Sequence, residues 1–213
     1  MSANLLESLI HELRTPLNAI AGWLLLMKKR PADRQLIDEA IAVIDRNVRQ
    51  QAKLLTDFSD LYALQSGTLK LHSEAVDMGV LIGAAIDAVV AGNGRPRPRL
   101  DLSPDPLTVT GDAERLLQLL TTLLQLQMQG AGQKAVCVSG SKTDTGRIQL
   151  KIESGTPATF APAELEAETL RVGASLDYSI ARLLAAGHGG ELLAAEHPDG
   201  GILFTLCLPR SAS

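Results

Sequence analysis

LLESLIHELRTPLNAIAGWLLLMKK, residues 5–29, decides the fold. Its apolar positions fall at Leu6, Ile10, Leu13, Leu17, Ile20, Leu24 and Met27, alternating steps of four and three residues. That is the seam of a coiled coil. Arg30, Pro31 and Ala32 interrupt it, and Asp33 is placed to cap a second helix. The same spacing resumes at Ile37, Ile41, Ile44, Val48, Gln51, Leu55, Phe58 and Tyr62, and Gly67 ends it. Two long helices and a short turn predict an antiparallel hairpin. Leu9, Leu36, Ala40, Val43, Leu54 and Leu61 widen the apolar face beyond what one hairpin can bury. Two copies are therefore expected to pair as an antiparallel four-helix bundle, a homodimer.

Beyond Gly67 the period changes. Leu69 to Leu71 alternates, Val76–Val90 reads as a helix, and residues 92–99, rich in Gly, Pro and Arg, read as a loop. Alternating runs at Arg99–Leu102, Leu107–Thr110, Ala135–Ser139, Ile148–Ile152, Glu191–Ala195 and Ile202–Leu208 predict strands. Helical stretches at Ala113–Gln129, Pro162–Leu170 and Leu176–Gly187 interleave with them. Strands covered by helices on one face make an α/β sandwich, so the fold class is α+β. The division falls near residue 66, giving a helical unit over 1–66 and an α/β unit over 67–213.

Composition narrows the partners. The chain has 213 residues, 46% of them apolar, and a formal charge of −4, which argues against nucleic acid. Aromatic residues make up only 3%, so the core is built from Leu, Ile, Val and Ala and there is little surface for base stacking. Cys137 and Cys207 lack CxxC spacing and read as buried free thiols in a reducing compartment. No run approaches the length of a membrane span and no signal peptide is visible, so no membrane contact is expected and the location is cytoplasmic. A helix already in heptad register at Leu6 suggests a piece of a longer protein.

Within the first helix His11 sits one step off the seam, where its ring can be reached from outside a bundle. Thr15 falls on the same helical face one turn on, and Pro16 predicts a local bend. The run HELRTPL, residues 11–17, resembles the phosphoacceptor box of the histidine kinases of two-component signalling at all seven positions. NAIAGW continues that likeness, and IDRNVRQQAKLLTDFSDLYALQSGTLKL resembles the second dimerisation helix and the first strand of the next domain. The resemblance implies that His11 is phosphorylated on Nε2. It implies that Glu12 accepts the Nδ1 proton and that Thr15 positions a water for dephosphorylating a partner. A neutral imidazole is nucleophilic at cell pH, and its N–P bond passes the phosphoryl group on to an aspartate.

The same family continues with an ATP-binding domain, and there the match fails at three places. GDAERLLQLLTTLLQLQMQ, residues 111–129, keeps Asp112, Arg115, Leu116 and Gln118, but the asparagines expected for Mg²⁺ and phosphate fall on Thr122 and Leu126. A leucine offers no oxygen to a hard cation. IESGTPA, residues 152–158, puts Glu153 at the adenine-binding aspartate, keeps Gly155 and replaces a second glycine by Pro157. A longer carboxylate and a rigid ring do not reproduce that pocket. VGASLDYSIARLLAAGHGGEL, from Val172, sets Ser175, Leu176, Asp177 and Tyr178 where a glycine-rich phosphate loop belongs, and the segment from Phe160 to Val172 is short for a lid.

These losses point to a dismantled ATP site, with neither ATP nor Mg²⁺ expected as a cofactor, and Glu153, Asp177 and Glu191 reading as solvated charge. His188 reads as structural and His72 and His197 as exposed loop residues; no metal site is expected. The leading expectation is a dimeric phosphotransfer protein that exchanges phosphoryl groups with receiver-domain aspartates through His11. An ATP-dependent kinase core that phosphorylates His11 itself, with ATP and Mg²⁺, is the alternative. A non-catalytic module that binds a response regulator is a third.

Overall fold

The computed structural model describes residues 3–91, 96–131, 135–154, 161–165 and 174–211. Helix α1 runs Ala3–Lys29 and α2 Arg34–Gln65, the two packing side by side as the hairpin their periodicity requires. Asp33 caps α2, its carboxylate accepting the Leu36 N–H at 3.1 Å. Ser66 closes the helix, and Gly67, at φ +67°, turns the chain in a conformation that disfavours a side chain. Helix α1 continues through Pro16, which is buried.

The two halves of the seam do different work. Leu13, Ile20 and Met27 on α1, and Ile37, Ile44, Gln51 and Phe58 on α2, are half-buried. Ile10, Leu17 and Leu24, and Ile41, Val48, Leu55 and Tyr62, are exposed in the single chain. Every second seam position thus forms an apolar stripe along the outside of the hairpin, facing away from its own partner helix.

The α/β unit follows as β1 (Glu74–Asp77), α3 (Met78–Val90), β2 (Arg99–Leu102), β3 (Thr108–Gly111), α4 (Ala113–Ala131), β4 (Cys137–Lys142) and β5 (Ile148–Glu153). It closes with α5 (Pro162–Leu165), α6 (Ala174–Gly187), β6 (Glu191–Glu196) and β7 (Ile202–Leu208). Five strands form one sheet in the order β2-β4-β5-β7-β6, parallel between β2 and β4 and antiparallel elsewhere. β1 and β3 pair separately as an antiparallel ribbon. Along β7 buried and half-buried residues alternate strictly, as one covered face demands. The layer of α3, α4 and α6 covers that face around Leu116, Leu119, Leu123, Ile152, Tyr178 and Phe204.

Two of the expected elements are corrected. The stretch Val76–Val90 is not one helix: Val76 lies in β1, and Asp77 caps a helix that begins at Met78 by accepting the N–H groups of Gly79 at 2.8 Å and Val80 at 3.2 Å. Leu69–Leu71 is not a strand; the first strand starts at Glu74, and Leu69 instead packs against the core. Residues 166–170 of the expected helix at Pro162–Leu170, and 92–95 of the expected loop, lie outside the described residues.

The core does not stop at the sequence division. Leu61 of α2 is 1% exposed and belongs to the α/β core, with Phe58 and Leu64 packed against the same cluster. The last third of α2 is shared between the hairpin and the α/β unit.

Candidate functional site

His11 and Glu12 are consecutive on α1, turned about 100° from each other around the helix. Glu12 is half-buried and faces the α/β unit, where it lines a cleft of about 260 Å³. Gln50, Lys53, Leu54 and Asp57 of α2 form one wall, Gln125 and Gln129 of α4 a second, and Leu176 and Asp177 of α6 a third. Thr15 lies one turn beyond His11 and is exposed. The sequence-predicted Glu12 and Asp177, 165 positions apart in the chain, are thus brought to one cleft.

Among the described residues that line the cleft Lys53 is the one lysine, and two of its three N–H donors are already given to carboxylates. Its Nζ donates to Asp57 Oδ2 at 2.6 Å and to Asp177 Oδ1 at 2.8 Å. Burial pulls the ammonium toward neutrality, but Asp177 and Asp57 outweigh it and hold its pKa above the ordinary lysine value. Burial pushes the Asp57 carboxyl up; Lys53 draws it back only in part, and the charges of Asp177 and Asp60 add to the rise. Against this one cation stand the carboxylates of Glu12, Asp57 and Asp177, so the lining is net negative.

Asp177 is therefore not the solvated charge expected of it: a lysine from a distant helix reaches it, and its side chain is only 20% exposed. Glu153 is corrected likewise, lying half-buried with His197 Nε2 3.5 Å from its carboxylate. His197 is half-buried rather than an exposed loop residue, because its Nδ1 also accepts the Asp199 N–H across the tight turn. His72 and Glu191 are exposed as expected.

Strand alternation also changes the reading of the second motif. Ile148, Leu150 and Ile152 point to the helix-covered face, so Glu153 points to the other face and the inward position falls on Ser154. Ser154 is buried there, its Oγ accepting from Gln127 Nε2 at 2.9 Å. The same amide nitrogen donates to the Ile202 carbonyl at 2.8 Å, tying α4 to β7. Gly155 and Pro157 lie outside the described residues. On α4, Leu126 is buried in the core and Thr122 is half-buried. The neighbouring glutamines, Gln125 and Gln129, are the α4 residues that reach the cleft.

The start of α4 forms a second polar cluster. Arg115 Nη1 lies 3.0 Å from both oxygens of Asp60, and Gln118 Nε2 donates to Asp60 Oδ2 at 2.6 Å. Asp112 accepts the N–H groups of His72 at 2.9 Å and Arg115 at 3.1 Å. Burial raises the Asp112 carboxyl, but the backbone donors of His72, Arg115 and Glu114 more than offset this and its pKa is lowered overall. His188 is structural and buried: Nε2 accepts the Asp112 N–H at 3.1 Å, which leaves the proton on Nδ1 to be donated to the Leu184 carbonyl at 2.7 Å. Both cysteines are free and half-buried rather than fully buried, and burial pushes the Cys137 thiol up, away from a reactive thiolate.

Sequence reasoning did not single out Lys53, Asp57 or Asp60. Lys53 and Asp57 carry the signal of an ordinary i,i+4 surface pair, and nothing local announces a partner 124 positions away.

Residues 1–67 match the His Kinase A (phospho-acceptor) domain. The chain is 32% identical over 173 residues to the probable sensor histidine kinase TcrY of Mycobacterium tuberculosis, covering 81% of this chain and 36% of that protein. It is 27% identical over 226 residues to the signal transduction histidine-protein kinase BaeS of Escherichia coli, covering 98% of this chain and 47% of the relative. The chain thus spans between a third and a half of these relatives' lengths. Among solved structures it is similar to the Acinetobacter baumannii histidine kinase AdeS, with a TM-score of 0.75 at 20% identity over 95% of this chain and 98% of that one. The last likeness is one of fold.

Proposed function

The chain belongs to the sensor histidine kinase family of two-component signalling, and from that membership we propose that it is a phosphotransfer form of the family, with His11 as the exchanged site. In this reading Nε2 of His11 attacks the phosphorus of a receiver's aspartyl phosphate. The N–P bond forms as the carboxylate–phosphorus bond breaks, and the freed carboxylate leaves. Transfer to a second receiver is the reverse. Glu12 holds the Nδ1 proton and Thr15 orients the water that hydrolyses the partner's aspartyl phosphate. The exposed half-seam is where a second copy pairs, so the working unit is a homodimer. Among the described residues no helix is long and apolar enough to cross a membrane.

One observation carries the reading. A phosphoryl group arriving from ATP enters between the α/β unit and α1, and that cleft presents Glu12, Asp57 and Asp177 with its one lysine already spent on two of them. Polyphosphate needs cations and free N–H donors at this place, and on α4 the motif position Leu126 is buried in the core while Gln125 and Gln129 reach the cleft in its stead. In this reading the negative lining disfavours a polyphosphate, and ATP is not the donor. The retained sheet and helical layer serve as scaffold.

Labelled ATP with Mg²⁺ is expected to leave the purified chain unlabelled, whereas a receiver phosphorylated beforehand is expected to label it. The label should be acid-labile and absent from His11→Ala. Label from ATP on His11 sinks the phosphotransfer-only reading in favour of the kinase. Tight receiver binding with no label from either donor leaves the non-catalytic module.

A further inference from the structure

Two polar bridges fasten α2 to the α/β unit, and they differ in kind. The lower one joins Asp60 to Arg115 and Gln118 and sits next to the buried Leu61; Asp60 is itself buried. Removing Arg115 would strand the buried Asp60 carboxylate, so this end stays shut. The upper bridge, seven residues or about 10 Å along α2, joins Lys53 to Asp177. The Lys53 side chain is 50% exposed and Asp177 20%, and both line the cleft that Glu12 shares. A solvent-facing pair of this kind holds only weakly. Asp57 stands beside it and keeps Lys53 paired when Asp177 departs, so opening leaves no lysine without a partner.

We propose that the Lys53–Asp177 bridge is a latch. The α/β unit pivots on the Leu61–Asp60–Arg115 anchor, and opening the latch clears the α1 surface at Glu12, beside His11, for a receiver domain. The partner named here rests on the phosphotransfer reading above; the latch itself does not.

Charge sets an order that packing alone does not. Asp177→Asn removes the attraction, whereas Lys53→Met also leaves Asp57 and Asp177 facing each other as like charges, so Lys53→Met opens wider. Spin labels on Arg46→Cys and Arg182→Cys, both exposed positions, report the separation. The full chain would carry Cys137→Ser and Cys207→Ser and be diluted into unlabelled chain. The long-distance population is expected to grow about fivefold in Asp177→Asn, more in Lys53→Met, and in the parent chain at about 1 M NaCl. Asp177→Glu should keep the short distance. A distribution unmoved by both variants and by salt overturns the latch, as does an Asp177→Glu chain that opens as far as Asp177→Asn.

A panel of receiver domains phosphorylated with acetyl phosphate then tests the gate. Transfer to His11 should quicken about fivefold in Asp177→Asn. A latch that opens without changing the transfer rate overturns the gating. If no receiver labels any of the chains, the phosphotransfer reading fails, while the distance measurement still decides the latch.

Discussion

Leu61→Ala tests whether the hairpin and the α/β unit stand or fall together. Leu61 is 1% exposed and packs into a cluster built from α3, α4, α6 and the five-stranded sheet. Such a site, backed by a helical layer on a sheet, has little room to collapse around a missing isobutyl group. Buried leucine-to-alanine changes cost roughly 2–5 kcal/mol, and a central value of about 3 kcal/mol suits this position. For a chain of this size each kcal/mol lowers Tm by roughly 2–4 °C, so a fall of about 6–12 °C is expected. Calorimetry on the substituted and parent chains, at one protein concentration because dimerisation makes Tm concentration-dependent, should show a single transition moved as a whole. Leu193→Ala, on an exposed β6 position, serves as control and should move it by no more than about 2 °C. Two separate transitions, with the α/β one unmoved, would refute the shared core.

Ile41→Glu with Val48→Glu puts two charges into the exposed half-seam and should convert dimer to monomer in sedimentation, with the α/β unit still folded by circular dichroism. Asp112 has a lowered pKa, so it adds stability that is present above the ordinary carboxylate range near pH 4 and is lost as the pH falls through its lower folded-state value. Asp112→Asn should accordingly lower stability near neutral pH and flatten the acid limb of a denaturation-midpoint profile; an unchanged acid limb contradicts the assignment. Gly190→Ala should destabilise by roughly 1–3 kcal/mol in urea titrations, because a Cβ there would meet the Cys207 carbonyl oxygen at 2.6 Å, a backbone atom that cannot turn aside.

The hairpin was legible because its signals are local: a heptad period, a capping aspartate and a stop at Gly67 all act within a turn or two of themselves. The split of the seam into a half-buried and an exposed set was not written in the period, since both sets are apolar and only the packing of α1 on α2 separates them. At Asp77 a continuous apolar texture from Val76 to Val90 concealed the cap, because strand β1 is too short to show an alternation of its own. Glu153 was hard to read for another reason. Counting back from Gly155 sets it at the motif's aspartate position, whereas the alternation of Ile148, Leu150 and Ile152 points inward to Ser154 and leaves Glu153 on the other face. The cleft lay beyond reach of sequence: Glu12, Lys53, Gln125 and Asp177 meet only because α4 and α6 pack beside α2.

Helix α2 belongs to two structures at once, and that limits how evolution or an engineer can exchange parts. A hairpin cut after Ser66 would carry Leu61, Phe58 and Leu64 into water as an apolar patch, and the α/β unit left behind would lose the same side chains from its core. A chimaera that joins this hairpin to a relative's α/β unit therefore needs its seam above Lys53, so that the lower turns of α2 travel with the helices they pack against. The exchangeable module is the upper hairpin with His11, and its natural suture lies in the middle of a helix rather than at the glycine that ends it.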